Sequence, residues 1–171
     1  MNVQIKVLSR EISEYLWRNN QTLSTAESCT AGLVASSIAA LPGASTYFRG
    51  GVVTYVNDLK TQLLGVASDL LDEVGPVSEE VARAMAEGAI SHLGTNYAVA
   101  VTGYAGPSGG EEASVGTIWI AAGRTGAIDT LKVTGDEGRE VNLRHATMVA
   151  LQVLRDRLQA DFPLEATESG K

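Results

Sequence analysis

The stretch Thr25-Ala26-Glu27-Ser28-Cys29-Thr30-Ala31-Gly32 lies between a short apolar segment and a long alanine-rich one, and it decides how the chain is organised. Residues 23–26 have the character of a strand, and residues 33–41, which contain no Pro or Gly, have that of a helix. Ser28 is therefore expected where a strand turns into a helix. The first N–H groups of a helix lack intrahelical partners and carry partial positive charge, so an oxyanion or a phosphate is favoured there.

Ser28 has two interpretations at such a junction. Serine is among the residues preferred at helix N-caps, and strand-to-helix junctions are far commoner than nucleophilic serines. Position alone therefore favours a cap, and other residues must support a nucleophile.

Length and composition predict a single α/β domain. The chain has 171 residues, of which 44% are hydrophobic and 5% aromatic, with 18 glycines. This length suffices for a full core without metals or disulfides, and few aromatics with many small residues favour α/β over a β-sandwich. We expect one domain over residues 1–160 and a disordered tail over residues 161–171.

The charge balance and the rare residue types exclude several classes of function. Thirteen Lys and Arg against twenty Asp and Glu give a net charge of -7, which disfavours nucleic acid as a partner. The single Cys29 excludes an internal disulfide, and no Cys/His cluster has zinc spacing, so neither a metal nor a cofactor is expected. Without a signal-peptide pattern or a membrane-spanning apolar run, we expect a cytoplasmic protein that does not contact membranes.

The order of the predicted elements favours a three-layer architecture. Predicted helices cover residues 5–18, 33–41, 58–64, 68–74, 79–93 and 139–158, and predicted strands cover residues 23–26, 46–56, 97–101, 115–122 and 127–133. Asn57 and Ser78 are the expected N-caps of the third and fifth helices, which Gly65 and Gly94 should end. The alternation of helices and strands, with hairpins near the end, predicts a three-layer α/β/α sandwich on a mixed, mostly parallel sheet of about five strands.

A nucleophilic serine needs a base, and Lys60 is the best candidate. His92 sits near a helix C-terminus, where a cation is simply stabilising. Lys60 falls in the first turn of its helix, where the dipole disfavours a cation, so burial there would favour the neutral amine. The alternative is an ordinary solvated lysine. Tyr55 could hydrogen-bond either group, or be a core or edge aromatic.

Several short motifs resemble one family. In chain order they are Ala26-Glu27-Ser28-Cys29-Thr30-x-Gly32, Tyr55-x-Asn57-x-x-Lys60, Leu64-Gly65-Val66, Gly75-x-Val77-Ser78-Glu79, Thr102-Gly103-x-Ala105-Gly106-Pro107-x-Gly109-Gly110 and Val115-Gly116-Thr117. Together they resemble the CinA C-terminal domain family, whose active members are nicotinamide-nucleotide amidases. The resemblance covers about residues 8 to 158.

This resemblance implies hydrolysis of the carboxamide of nicotinamide mononucleotide to nicotinate mononucleotide and ammonia, without a metal. It implies Ser28 as the nucleophile, Lys60 as its base and Tyr55 in the same site. We expect an acyl-enzyme, and we expect the oxyanion of the tetrahedral intermediate that precedes it to be stabilised by backbone N–H groups of Cys29, Thr30 and Ala31. Members are often dimers, so the resemblance allows a homodimer.

The motifs also supply the candidate substrate-binding residues, which are Glu27, Thr102, Gly103, Ala105, Gly106, Gly109 and Gly110. Arg139 and Arg144 are candidates for the phosphate. Arg144 has an equal alternative, a surface pair with Glu140 one helical turn earlier.

Three features leave alternatives open. Cys29 is interpreted as a packing residue, although its thiol is a nucleophile by chemistry. The chain departs from the family pattern at Ala31, where Gly is usual and a helix start should tolerate Ala, at Tyr104, and at Ala113-Ser114. A non-catalytic relative that binds a nucleotide or a partner is the alternative function.

Overall fold

The computed structural model describes residues 2–163, which contain six α-helices and five β-strands. The helices are α1 (Val3–Arg18), α2 (Leu33–Ala39), α3 (Asn57–Leu64), α4 (Ser68–Val74), α5 (Glu79–Leu93) and α6 (Arg139–Asp161). The strands are β1 (Leu23–Glu27), β2 (Phe48–Val53), β3 (Tyr97–Gly103), β4 (Ile118–Arg124) and β5 (Ala127–Val133). None of the helices in residues 2–163 has the length and hydropathy needed to cross a membrane.

The strands form one mixed sheet in the order β2-β1-β3-β4-β5. β1 pairs in parallel with β2 and β3, whereas β4 is antiparallel to both β3 and β5. Only β4 thus runs against the others. α1, α2 and α6 cover one face, and α3, α4 and α5 cover the other. The predicted three-layer sandwich is confirmed.

Strand β3 shows how the sequence specifies the two layers. Tyr97, Val99 and Val101 belong to the core beneath α1 and α6, whereas Ala98 and Ala100 belong to the core beneath α5. Successive side chains of a strand point to opposite faces, so the alternation of large and small residues sets a thick core on one face and a close helix contact on the other.

Several predicted boundaries are wrong. Asn57 is the first residue of α3 and not its cap, because Val56 holds the cap position. Asp161 closes α6 and accepts hydrogen bonds from Tyr97, Arg124 and Arg157, so the expected disorder does not begin at residue 161. The remainder of that predicted tail, residues 164–171, lies outside the described residues.

Parallel pairing brings three chain segments to one edge of the sheet. Glu27 is level with Val53 on one side and with Val101 on the other. The ladder continues one residue further, because the Thr54 N–H donates to the Glu27 carbonyl and the Ser28 N–H to the Val101 carbonyl. The residues that follow the carboxyl ends of β1, β2 and β3 therefore meet, and such edges are the usual ligand sites of α/β sheets.

Helix α3 depends on a close contact with α5. Gly88 lies in the interior of α5, and a Cβ there would overlap the backbone carbonyl of Leu64 at the end of α3. Gly65 then ends α3 in the left-handed conformation that glycine adopts readily. The glycine in α5 thus lets α3 lie against it.

We predict that Gly88→Ala destabilises the protein by about 2 kcal/mol in urea unfolding, because backbone of α3 must move. In an isolated helix the same change would stabilise by about 1 kcal/mol. The sign of the change in free energy of unfolding therefore tests the contact between Gly88 and the backbone of α3. Glu87→Ala, at the exposed neighbouring position, is the control and should change the free energy of unfolding by less than about 0.5 kcal/mol. A stabilised Gly88→Ala variant would contradict the close approach.

Candidate active site

A cavity of about 260 Å³ lies at the edge of the sheet where β1, β2 and β3 end. This is slightly below the roughly 300–1,000 Å³ of most small-molecule sites. Its lining residues come from the turn after β1, the start of α3, the segment before α5, the loop after β3 and the start of α6. They are Ser28, Cys29, Tyr55, Asn57, Lys60, Pro76, Val77, Thr102, Gly103, Tyr104, Ala105, Gly106, Ser108 and Arg139.

Lys60 is the fourth residue of the short helix α3, reaches this cavity and is almost fully buried. Its side chain is 1% exposed, and Nζ lies 3.3 Å from Ser28 Oγ. Nζ also donates a hydrogen bond of 3.0 Å to the Thr54 carbonyl. Within residues 2–163 Lys60 forms no ion pair with a carboxylate. The solvated-surface interpretation of Lys60 is therefore wrong.

Burial without a counter-ion sets the protonation of this amine. Desolvation lowers the pKa of Lys60 below its usual value of 10.5, and the neighbouring Cys29 thiol opposes the change only in part. A neutral amine has a lone pair, so it can accept the hydroxyl proton of Ser28 while an N–H still donates to Thr54.

The turn after β1 differs from the expected helix start. Ser28 is not the N-cap of α2, because Gly32 holds that position with a φ of 100°. Ala31 precedes it with a φ of 48°, a left-handed conformation that strains an alanine. Ala31 is thus not in a helix start, where alanine was expected to be tolerated, but at a position that favours glycine.

Glu27, predicted to bind substrate, instead caps α2. Its carboxylate accepts hydrogen bonds from the N–H groups of Gly32 at 3.0 Å, Val34 at 3.1 Å and Ala35 at 2.8 Å. The side chain is 1% exposed and does not line the cavity. The free N–H groups of α2 are therefore already occupied.

Two N–H groups of the turn have no backbone carbonyl as partner within the described residues. The Ala31 N–H donates to the Ser28 carbonyl at 3.0 Å and so is not available to an oxyanion. The N–H groups of Cys29 and Thr30 form no hydrogen bond to a backbone carbonyl within residues 2–163, although both lie close enough to the Cys29 sulfur to lower the pKa of its thiol. Unpaired backbone donors are rare in proteins, so these two are the candidates for binding a ligand oxygen.

Cys29 lines the cavity but its thiol is held in the protonated form. Burial raises the pKa of Cys29 to about 11, although Arg139 and the N–H groups of Cys29 and Thr30 act in the opposite direction. A thiol is a poor nucleophile compared with a thiolate. The side chain packs in the core formed with α1 and α6, in agreement with its interpretation as a packing residue.

Tyr55 and Arg139 form a bridge at the exposed end of the cavity. Arg139 donates to the Tyr55 hydroxyl at 2.8 Å and to the Gly106 carbonyl at 2.7 Å. Tyr55 is 52% exposed and hydrogen-bonds neither Ser28 nor Lys60. The bridge fixes a guanidinium near the entrance with two of its five N–H donors already used.

The loop after β3 is held in place by side-chain hydrogen bonds. Thr102 Oγ1 donates to the Pro76 carbonyl, and the Tyr104 hydroxyl donates to the Glu112 carboxylate, both at 2.7 Å. The Val77 N–H donates to the same carboxylate at 3.4 Å. Glu112 therefore ties this loop to the segment before α5.

The profile of the CinA C-terminal domain family matches residues 5–158 of this sequence. The chain belongs to the CinA C-terminal domain family. "Nicotinamide-nucleotide amidohydrolase PncC" of Pseudomonas putida is 43% identical over 151 residues, which cover 88% of this chain and 94% of that protein. A "CinA-like protein" of Gloeobacter violaceus is 46% identical over 144 residues, which cover 82% of this chain and 34% of that protein.

Most of the curated relatives are longer than this CinA domain, which spans about a third of their length. Among solved structures, the competence/damage inducible protein CihA of Agrobacterium tumefaciens is similar with a TM-score of 0.86 and 38% identity, covering 90% of this chain and 95% of that one. A CinA superfamily protein of Klebsiella pneumoniae is similar with a TM-score of 0.88 and 30% identity, covering 94% of this chain and 99% of that one.

The cavity of this CinA domain contains some of the predicted site residues and not others. The members that line it are Ser28, Cys29, Tyr55, Lys60, Thr102, Gly103, Ala105, Gly106 and Arg139. Gly109 and Gly110 lie outside the lining; a Cβ at Gly109 would crowd the loop's own backbone, and the Gly110 N–H donates to the Ala113 carbonyl. Arg144 pairs with Glu140 at 2.6 Å, as the surface alternative predicted.

Sequence reasoning missed five lining residues of this CinA domain, namely Asn57, Pro76, Val77, Tyr104 and Ser108. All five lie inside the motif segments quoted above, so the spacing of those motifs was the available signal. Within residues 2–163 no group of three or more His, Cys, Asp or Glu side chains is placed to hold a metal ion.

We predict that deprotonation of Lys60 stabilises the fold at high pH. Its folded pKa is lowered, so between that pKa and about 10.5 the unfolded state binds more protons and stability rises with pH. Lys60→Met lacks this contribution. The difference in free energy of unfolding, wild type minus Lys60→Met, should therefore increase from pH 7 to pH 10.5 in urea titrations. A constant difference would contradict a lowered pKa.

Proposed function

We propose that this CinA domain is an amidohydrolase that converts nicotinamide mononucleotide to nicotinate mononucleotide and ammonia, with Ser28 as nucleophile and Lys60 as base. The observation that carries the proposal is the 3.3 Å separation of Ser28 Oγ and a buried Lys60 Nζ that has no carboxylate partner within residues 2–163. The similarity to the amidohydrolase PncC of Pseudomonas putida supports the choice of reaction.

The first step is attack of Ser28 Oγ on the carboxamide carbon. Neutral Lys60 takes the hydroxyl proton as the C–O bond forms, and the amide oxygen becomes an oxyanion. The N–H groups of Cys29 and Thr30 are proposed to bind that oxyanion, since neither donates to a backbone carbonyl within the described residues. A donor of this kind is worth about 3 to 4 kcal/mol of transition-state stabilisation.

The second step expels ammonia. Protonated Lys60 returns its proton to the amide nitrogen, the C–N bond breaks, and an ester between Ser28 and the carboxyl group of nicotinate mononucleotide remains. Water then attacks the ester with Lys60 again as base, which releases the carboxylate product and restores the serine hydroxyl. The chain itself supplies the proton acceptor and the oxyanion donors, so the proposed mechanism uses no metal or cofactor.

The charge of the cavity favours an anionic substrate. The lining contains two basic side chains, Lys60 and Arg139, and no carboxylate, in a protein whose net charge is -7. Arg139 keeps N–H donors beyond those given to Tyr55 and Gly106, and guanidinium groups bind phosphate well. We therefore assign the phosphate to Arg139, with Tyr55 holding that guanidinium.

Ammonia release from nicotinamide mononucleotide tests the catalytic pair. Ser28→Ala and Lys60→Met are each expected to lose at least about 1,000-fold in kcat, since the two act as a unit. For the wild type, kcat/KM should rise with pH through the lowered pKa of Lys60, because only the neutral amine accepts a proton. Cys29→Ser should retain turnover.

Other outcomes would reject parts of this assignment. Loss of all turnover in Cys29→Ser would transfer the nucleophile role to sulfur. Binding of the nucleotide by the wild type without any ammonia release would reject the enzyme and favour a non-catalytic binding protein.

Arg139→Met tests the phosphate assignment. The KM for nicotinamide mononucleotide should rise about 10-fold or more through loss of a charge-assisted bond, whereas kcat/KM for nicotinamide riboside, which lacks the phosphate, should change little. Arg144→Met removes an arginine of the same helix outside the cavity and is the matched control. An equal loss on both substrates would show that Arg139 does not recognise the phosphate.

A further inference from the structure

Glu27 is a buried carboxylate whose partners all belong to the chain beyond the candidate nucleophile. It ends β1, and its two oxygens accept three N–H groups of Gly32, Val34 and Ala35, five to eight residues further along. Helix N-caps normally come from the residue at the cap position, which here is Gly32 and has no side chain. The carboxylate thus replaces the missing cap.

This cap also closes the turn that carries Ser28. The backbone of Glu27 is fixed on one side by the Thr54 N–H, and the N–H of Ser28 by the Val101 carbonyl. The side chain of Glu27 then holds the far end of the turn at Gly32. Residues 28–31 are therefore held at both ends, which fits the strained φ of Ala31.

The acceptor must be a carboxylate for this arrangement. Three N–H donors converge on it, and an ionised carboxylate offers two acceptor oxygens and no donor. A glutamine of the same shape would direct an NH₂ group at one or more of these N–H groups. The negative charge also complements the partial positive charge of the helix start.

We propose that Glu27 is a positioning residue for the reaction, which keeps Ser28 Oγ within reach of Lys60 and leaves the N–H groups of Cys29 and Thr30 free. By occupying the N–H groups of α2 it also prevents a substrate phosphate from binding at that helix start. The role in turnover rests on the proposed function, whereas the effect on the reactivity of Ser28 does not.

Glu27→Gln tests this role in two assays on the full chain. The first measures kcat and KM for nicotinamide mononucleotide, and the second measures the rate at which a fluorophosphonate modifies Ser28, followed by intact mass. Both kcat and the modification rate should fall about 100-fold per folded molecule with KM changed less than threefold, as expected for a nucleophile displaced by about 1 Å. Circular dichroism gives the folded fraction.

Asp161→Asn is the matched control, because Asp161 is also a buried carboxylate with several donors but lies outside the cavity. It should lose stability and keep both rates per folded molecule. If Glu27→Gln does not fold, Glu27→Asp retains the charge but is too short to reach all three N–H groups, and the same losses are expected.

Wild-type rates in a folded Glu27→Gln, or in Glu27→Asp where that variant is needed, would overturn the proposal. A raised KM with unchanged kcat and unchanged modification would also overturn it, in favour of substrate binding by Glu27. If the wild type releases no ammonia while the modification of Ser28 still depends on Glu27, the proposed function fails and the positioning role stands.

Discussion

The amine of Lys60 is buried with hydrogen bonds to Ser28 Oγ and to the Thr54 carbonyl, and it has no carboxylate partner within residues 2–163. Removing such a group from water is unfavourable when it is charged, so the surrounding structure must hold it in place. Parallel pairing brings Ser28 and Thr54 to the same edge, and the contact at Gly88 places α3 against α5. Both the sheet pairing and the packing of α3 on α5 are thus needed to place the Lys60 amine beside Ser28.

Two groups of backbone N–H donors near Ser28 differ in whether a side-chain carboxylate of the chain binds them. The N–H groups at the start of α2 are taken by Glu27, whereas those of Cys29 and Thr30 donate to no backbone carbonyl or carboxylate within the described residues. A helix start open to the cavity would have attracted any anion, including a phosphate. Because Glu27 occupies it, the proposed function assigns the anionic group of the substrate to Arg139 at the entrance and leaves the turn for the developing oxyanion.

The sequence predicted the features that depend on local rules. Ser78 caps α5, Gly65 ends α3 and the apolar run from Tyr97 forms a central strand, as expected from side-chain hydrogen bonding, backbone freedom and periodicity. The sequence did not predict that Lys60 is buried; it indicated only that a buried Lys60 would favour the neutral amine. The pairing of Tyr55 with Arg139 was not predicted, because it joins residues 84 positions apart. Likewise, a glutamate within a serine motif gives no sign that its side chain reaches three N–H groups beyond the turn.

In the proposed reaction, the separation of the two basic side chains of the cavity, Lys60 and Arg139, matters as much as their basicity. A phosphate beside Lys60 would favour the ammonium form and so remove the base, since an opposite charge raises the pKa of an amine. Arg139 is fixed at the exposed end by Tyr55 and Gly106, while Lys60 is buried at the inner end. A substrate with its anionic group on Arg139 therefore presents its neutral carboxamide to the neutral amine. The same separation makes the proposed role of Lys60 as base compatible with a site that attracts anions.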